Sequence, residues 1–229
     1  RGVPVSGYGN VYPFVIAPAF WLFDNLVTAY AAVKVINAIA MSLTAIPVYF
    51  IARTLIGRRW SLVASALSVL VPGMAYTGMV MTENAFYPAF ALAAMCAVYA
   101  LQRRTVLWQV LAVVSAVACF EVRQQGAMAV VAYGVSVLLV VLLDAARGDG
   151  MVWHRRLAAS AMRFWPTVAL LIIGVAGVLF YLHSTGVRWV SLLGAYGITA
   201  EERDRYQMRP IASWFLLHLA ELSLWLAVV

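Results

Sequence analysis

Of the 229 residues, 65% are hydrophobic and 11% charged, whereas soluble domains run near half apolar and a quarter charged. That excludes a soluble domain and predicts an all-α, polytopic transmembrane bundle, with room for about seven spans at roughly 20 residues each. The formal charge of +7 does not imply a nucleic-acid partner, because most of the arginines fall in short loops between apolar runs, where they report topology rather than a binding groove.

Residues 1–27 read as an outer loop. Gly2, Gly7, Tyr8, Gly9 and Asn10 are loop chemistry. The stretch 12–23 is apolar but too short to span, and with Pro13, Pro18 and Trp21 it predicts a juxtamembrane helix. Asp24 and Asn25 end that helix and are placed to cap the next. Six spans are expected over 28–183, at about 28–52, 60–80, 86–101, 106–120, 127–143 and 164–183. Pro47 should kink the first, and Pro72-Gly73 should break the second. Residues 144–163 read as a polar connection and 184–210 as a long outer loop. Within that loop Thr199-Ala200-Glu201-Glu202 matches a capping box. Residues 211–229 begin a further span. The chain reads as an internal piece of a longer protein.

Arginine sets the orientation. The loops at 53–59, 102–105 and 144–163 hold nine arginines against Asp144 and Asp149, which puts them in the cytoplasm. The tips at Glu83 and at Glu121–Gln125, with residues 1–27 and 184–210, then share the outer face. Trp60, Trp108, Trp165, Trp189 and Trp214 lie near span ends, as an aromatic belt would. Cys96 and Cys119 sit inside apolar runs and form no metal or redox pattern, so they read as packing residues.

Chemistry is sought at the outer tips. Glu83 at a hairpin tip has a bland reading, a solvated loop acid, and a functional one. The broken helix before it and Pro88 after it suit a residue lining a cavity. Asn84 adds an amide that can read hydroxyls. Arg123 has two readings, a local pair with Glu121 or a phosphate ligand, with Gln124 and Gln125 beside it. Lys34, the only lysine, either snorkels to headgroups or adds positive charge for an anionic lipid. His218 and Glu221 share a face of the last run, as a satisfied pair or an intramembrane site. No P-loop, dinucleotide fingerprint, zinc spacing or nucleophile elbow is present.

The ordered series Gly9-Asn10-Val11-Tyr12-Pro13, Ala29-Tyr30, Asn37, Pro72, Met81-Thr82-Glu83-Asn84 and Val122-Arg123-Gln124-Gln125-Gly126 resembles the GT-C membrane glycosyltransferases. It is most similar to their protein-mannosyltransferase and aminoarabinose-transferase-like group (glycosyltransferase family 39-like). The resemblance implies transfer of a sugar from a polyprenyl-phosphate donor to a glycan, lipid or protein acceptor of the cell envelope, at the outer face of a bacterial plasma membrane. It implies that Glu83 is the second acidic site, helping to organise acceptor or a divalent metal. It implies that Arg123 contacts the donor phosphate, and that Tyr12, Lys34, Asn84 and Gln124 belong to the substrate site. The family's catalytic acid precedes the juxtamembrane helix. No acidic residue stands before Asp24 here, so the base is expected upstream of Arg1. A lipid or sugar transporter or flippase is the alternative expectation; it calls for inverted repeats, and none is evident.

Overall fold

A computed structural model describes residues 11–70, 72–147 and 152–186. The loop before Val11, most of the 184–210 loop, the capping box at Thr199, the His218–Glu221 pair, the last span, Trp189 and Trp214 lie outside the described residues. Among the described residues all regular structure is helical. The helices are α1 (Val11–Leu22), α2 (Leu26–Ser42), α3 (Ala45–Arg53), α4 (Arg58–Ser68), α5 (Glu83–Arg103), α6 (Val106–Val122), α7 (Ala127–Arg147), α8 (Trp153–Met162) and α9 (Trp165–Thr185). Short 3-10 turns occupy Pro72–Gly78 and Gln124–Gly126.

Local chemistry sets the boundaries. Asn25 caps α2, its side chain accepting from the Val27 N–H at 2.8 Å. The first span breaks one turn before Pro47, between α2 and α3. A proline ring clashes with the carbonyl four residues back, here that of Leu43, and the Ile46 N–H takes that carbonyl in a tighter turn at 3.1 Å. The second expected span ends as an α-helix at Ser68 and continues only as the 3-10 turn that begins at Pro72. The connection read as polar loop holds the helix α8. Its Arg156 donates to the Ala145 carbonyl at 3.2 Å, and its Ser160 hydroxyl to Asp144 at 2.8 Å.

Four helical segments are long and apolar enough to cross a membrane: Leu26–Arg53, Glu83–Arg103, Gln124–Arg147 and Trp165–Thr185. Six spans were expected over this stretch. The two that fall short are α4, stopped at Pro72-Gly73, and α6, whose 17 residues stand at the lower limit of about 17–25 for a span.

The core is built from small side chains. On α5 Ala93, Cys96 and Ala100 are buried, and on α6 Ala112, Ala116 and Cys119. These are the spacings of one helix face. Where hydrocarbon tails are as apolar as leucine, close backbone approach over small residues replaces hydrophobic collapse as the source of packing. Both cysteines are free and buried here, as packing residues. The large apolar side chains point outward instead; Leu107, Leu138, Ile172, Ile173 and Phe180 are all more than half exposed.

At the arginine-bearing end, polar groups close the bundle. Arg104 pairs with Asp144 at 2.7 Å. Gln109, wholly buried, donates to the carbonyls of Arg104 and Arg163 at 3.2 and 2.8 Å. It accepts from the Thr167 hydroxyl at 3.0 Å, and that hydroxyl also meets the Tyr133 hydroxyl at 2.8 Å. Through Thr167 and the buried Phe164, the start of α9 is fixed to α6 and α7.

At the opposite end the chain turns from α6 into α7 through Gly126. A Cβ there would fall inside the Cys119 and Phe120 backbone, so only glycine lets the turn lie against α6. Gly126→Ala is therefore expected to destabilise by about 1–3 kcal/mol. Gly134→Ala in α7 meets open space and should be neutral or gain up to about 1 kcal/mol. Thermal unfolding of the two variants in detergent checks the contrast; equal melting temperatures would refute the close approach.

Candidate functional site

Two tips that are far apart in sequence meet here. Glu83 is the first residue of α5 and Arg123 caps the end of α6. Because α5 and α6 run antiparallel, these two termini coincide, and the Glu83 carboxylate pairs with the Arg123 guanidinium. The helix dipoles favour both charges, an anion at an N-terminus and a cation at a C-terminus. The side chains are 18% and 26% exposed, so the pair is shielded from bulk water but reachable. The Thr82 hydroxyl also contacts Glu83, at 3.4 Å.

Beneath the pair, Tyr12 of α1, Ala85 of α5 and Val122 of α6 form an apolar cluster, with Val11, Val15, Ile16, Phe86 and Ala89 packed against it. This cluster brings the juxtamembrane helix onto the two tips. Tyr12 is 4% exposed, and its hydroxyl donates to the Asn37 side-chain oxygen at 3.1 Å. Asn37, wholly buried on α2, donates in turn to the Met79 carbonyl at 2.9 Å. Asn84 donates to the same Met79 carbonyl at 3.0 Å and to the Tyr76 carbonyl at 3.1 Å.

Two buried amides thus hold the 3-10 segment that breaks the second span. The reason is physical: the end of such a broken helix carries carbonyls without intrahelical partners, and in an apolar setting each needs a donor. Because both amide protons of Asn84 are committed to carbonyls, its orientation is fixed. Its Oδ1 is then buried with no hydrogen-bond partner among the described residues.

Lys34 stands on the exposed side of α2, 4.7 Å over the Tyr30 ring. The Tyr30 hydroxyl donates to the Gly78 carbonyl at 3.2 Å. Lys34 is therefore tied, through Tyr30, to the same broken segment that Asn37 and Asn84 hold. Gln124 follows Arg123 in the turn into α7. All six residues singled out in the sequence, Tyr12, Lys34, Glu83, Asn84, Arg123 and Gln124, accordingly belong to one end of the bundle. For Arg123, the ion-pair partner placed by the fold is Glu83, one helix back in the chain. Glu121, its other charged neighbour, is exposed and lines an apolar cleft.

Sequence reading undervalued two residues. Asn37 entered only through the family-like series, yet it joins Tyr12 to the broken segment. Gln109 passed unremarked inside an apolar run, yet it holds three helices together at the other end. An amide in a predicted span was the available signal, since such a group must find partners.

The site can present a carboxylate, a guanidinium and an ammonium at the mouth of a helical bundle. Among the described residues no three His, Cys, Asp or Glu side chains gather as metal ligands. Among the described residues Glu83 is turned to Arg123 and meets no second carboxylate. No family profile, curated protein or solved structure matches this chain.

The Glu83–Arg123 contact makes a sharp prediction. Glu83→Arg and Arg123→Glu alone should each lower stability by about 1–3 kcal/mol, through like charges at a half-buried site. The double reversal should recover part of that loss, a coupling that a double-mutant cycle on melting in detergent measures. Strictly additive losses would show that the two side chains do not meet.

Proposed function

We propose that the chain is part of a membrane glycosyltransferase that moves a sugar from a polyprenyl-phosphate donor to a cell-envelope acceptor at the outer face of a bacterial membrane. The observation that carries this reading is the meeting of Glu83 and Arg123 at one end of the bundle, opposite the arginine-bearing loops. Positive residues mark the cytoplasmic side, which supports an outer location for the Glu83 end.

The chemistry such a transfer needs is modest. An acceptor hydroxyl attacks the anomeric carbon, the bond from that carbon to the phosphate oxygen breaks, and polyprenyl phosphate leaves with the bonding electrons. The hydroxyl proton passes to a general base. Arg123 and Lys34 supply positive charge where negative charge grows on the departing oxygen. Glu83 orients the acceptor hydroxyl, and Asn84 holds the broken segment beside it. Gln124 completes the lining, and the buried Tyr12 supports it from beneath.

A lipid-linked donor also fits the surroundings of the site. Between α6, α7 and α9 lies a cleft of about 500 Å³, lined by Val117, Phe120, Val131, Leu171, Val175 and other residues that are almost all apolar. It opens beside the turn that carries Arg123, where a prenyl chain could follow its own headgroup.

Labelled polyprenyl-phosphate sugars and envelope acceptors, supplied to the full-length protein in liposomes, test the reading. Transfer is expected, and Arg123→Ala or Glu83→Gln should reduce it about 100-fold or more. Arg123→Lys should retain part, since charge survives while bidentate contact does not. The proposal is overturned if no donor is consumed with any sugar, or if both variants transfer at the wild-type rate.

A further inference from the structure

The opposite, arginine-bearing end holds a polar recess that the transfer chemistry does not use. It has a volume of about 440 Å³, lies between α3 and α5, and is lined by Tyr49, Arg53, Thr54, Tyr99, Gln102 and Arg103. We propose that this recess is a binding site for a phosphate group, at the face of the bundle away from Glu83 and Arg123. The inference does not rest on the glycosyltransferase reading.

Charge is the first argument. The ion pairs found among the described residues are Arg104–Asp144 and Glu83–Arg123. Arg53 and Arg103 face one recess, and among the described residues neither has a carboxylate partner. Each closes a helix, and the terminal carbonyls of α3 and α5 carry partial negative charge. A helix end amounts to about −0.5 of an elementary charge. Two ends then offset at most about one of two guanidinium charges, and the recess stays positive.

Preorganisation is the second. The Arg103 guanidinium lies over the rings of Tyr99 and Trp108, 4.7 and 5.4 Å from their centroids. Those rings stack on each other at 4.7 Å. Cation–π contact engages the flat face of a guanidinium and leaves its N–H edges directed in the plane, where they match two oxygens of a phosphate. A free arginine would lose side-chain entropy on binding; this one is already held. Gln102 and Tyr49 add neutral polar groups around the same volume, while the Thr54 and Tyr99 hydroxyls donate to the Ile51 and Phe50 carbonyls at 2.8 and 3.5 Å.

A phosphate could reach the recess as a phospholipid headgroup or as a free anion. Leu55 and Ile56, just beyond Arg53, are exposed apolar side chains on which acyl chains could lie, so the lipid arm is tested first. The full-length protein in neutral detergent would be titrated with short-chain phosphatidylglycerol, with the diacylglycerol of equal chain length, and with inorganic phosphate, bound species being counted by native mass spectrometry. Phosphatidylglycerol is expected to bind at least tenfold tighter than diacylglycerol. Arg53→Gln and Arg103→Gln should each weaken it about tenfold, the loss of one charged hydrogen-bonding group. Arg58→Gln and Arg59→Gln, at the same end but outside the recess, should change it less than twofold.

Displacement of the lipid by millimolar phosphate would support a site for the phosphate group itself. Retention of the lipid against phosphate, with the arginine dependence intact, would support a headgroup site. Equal weakening by all four arginine variants would overturn the proposal in favour of diffuse surface charge, and so would wild-type binding in the Arg53 and Arg103 variants. Arg103→Gln also removes a stacking contact. Arg53→Gln, which stacks on nothing, keeps the test decisive should Arg103→Gln fail to fold.

Discussion

The close approach of α5 and α6 over alanines and cysteines is the constraint on which the rest depends. Ala93, Cys96 and Ala100 on α5 and Ala112, Ala116 and Cys119 on α6 are buried, Cys96 and Ala100 in one cluster with Ala112, and none of these side chains is long enough to keep the backbones apart. Among hydrocarbon tails such a seam is stabilised by van der Waals contact, because burying larger apolar groups gains little there. Small residues alone leave an antiparallel pair free to slide. Polar contacts at the ends fix the register: Glu83 with Arg123 at one, and Arg104 with Asp144, the anchor to α7, at the other. Shifting α5 by one turn would move Glu83 about 5.4 Å along the axis and break both contacts together. The site therefore inherits its geometry from the seam.

The ends of the bundle solve one problem in two ways. At the arginine-bearing end, Arg104 adopts a left-handed conformation, φ 53°, which side chains other than glycine rarely take. Its side chain repays that strain by reaching Asp144, while its backbone carbonyl accepts from Gln109. At the Glu83 end the backbone is broken rather than bent back. The carbonyls released around Pro72–Gly78 are met by the amides of Asn37 and Asn84 and by the Tyr30 hydroxyl. Around Gln109 the first end is a structural lock, beside a recess lined by Arg53 and Arg103, and the second keeps ionisable groups at its mouth.

What could be read from the sequence follows the range of each interaction. The helices at 83–103, 127–147 and 165–185 were legible because apolar runs of that length have few other solutions. The Asn25 cap and the break at Pro72-Gly73 were legible because their causes are local. The helix of α8 was hidden by its arginines, since a polar, amphipathic stretch at a membrane face looks like a loop when only hydropathy is read. The Glu83–Arg123 contact could be placed only as far as a shared face. Sidedness follows from counting spans, but contact depends on the register of α5 against α6, which small residues do not encode in any one position. Asn37 and Gln109 announced that partners must exist without saying which.

The contact also constrains what the site can do, given the proposed function. In this structure Arg123 is neutralised by Glu83, so an arriving phosphate must compete with a carboxylate for the same guanidinium. A phosphodiester offers two non-bridging oxygens, as many as a carboxylate, and the guanidinium fork suits them. The dipole of α5 still favours a negative charge at its first residue. Asn84 beside it is wholly buried, its amide protons holding the broken segment. Under that proposal donor binding would free the Glu83 carboxylate as an acceptor for the incoming hydroxyl. Under the proposed function, electrostatics then favours phosphate first and hydroxyl second. Before the phosphate arrives, Glu83 is held by Arg123 and is not available to the acceptor.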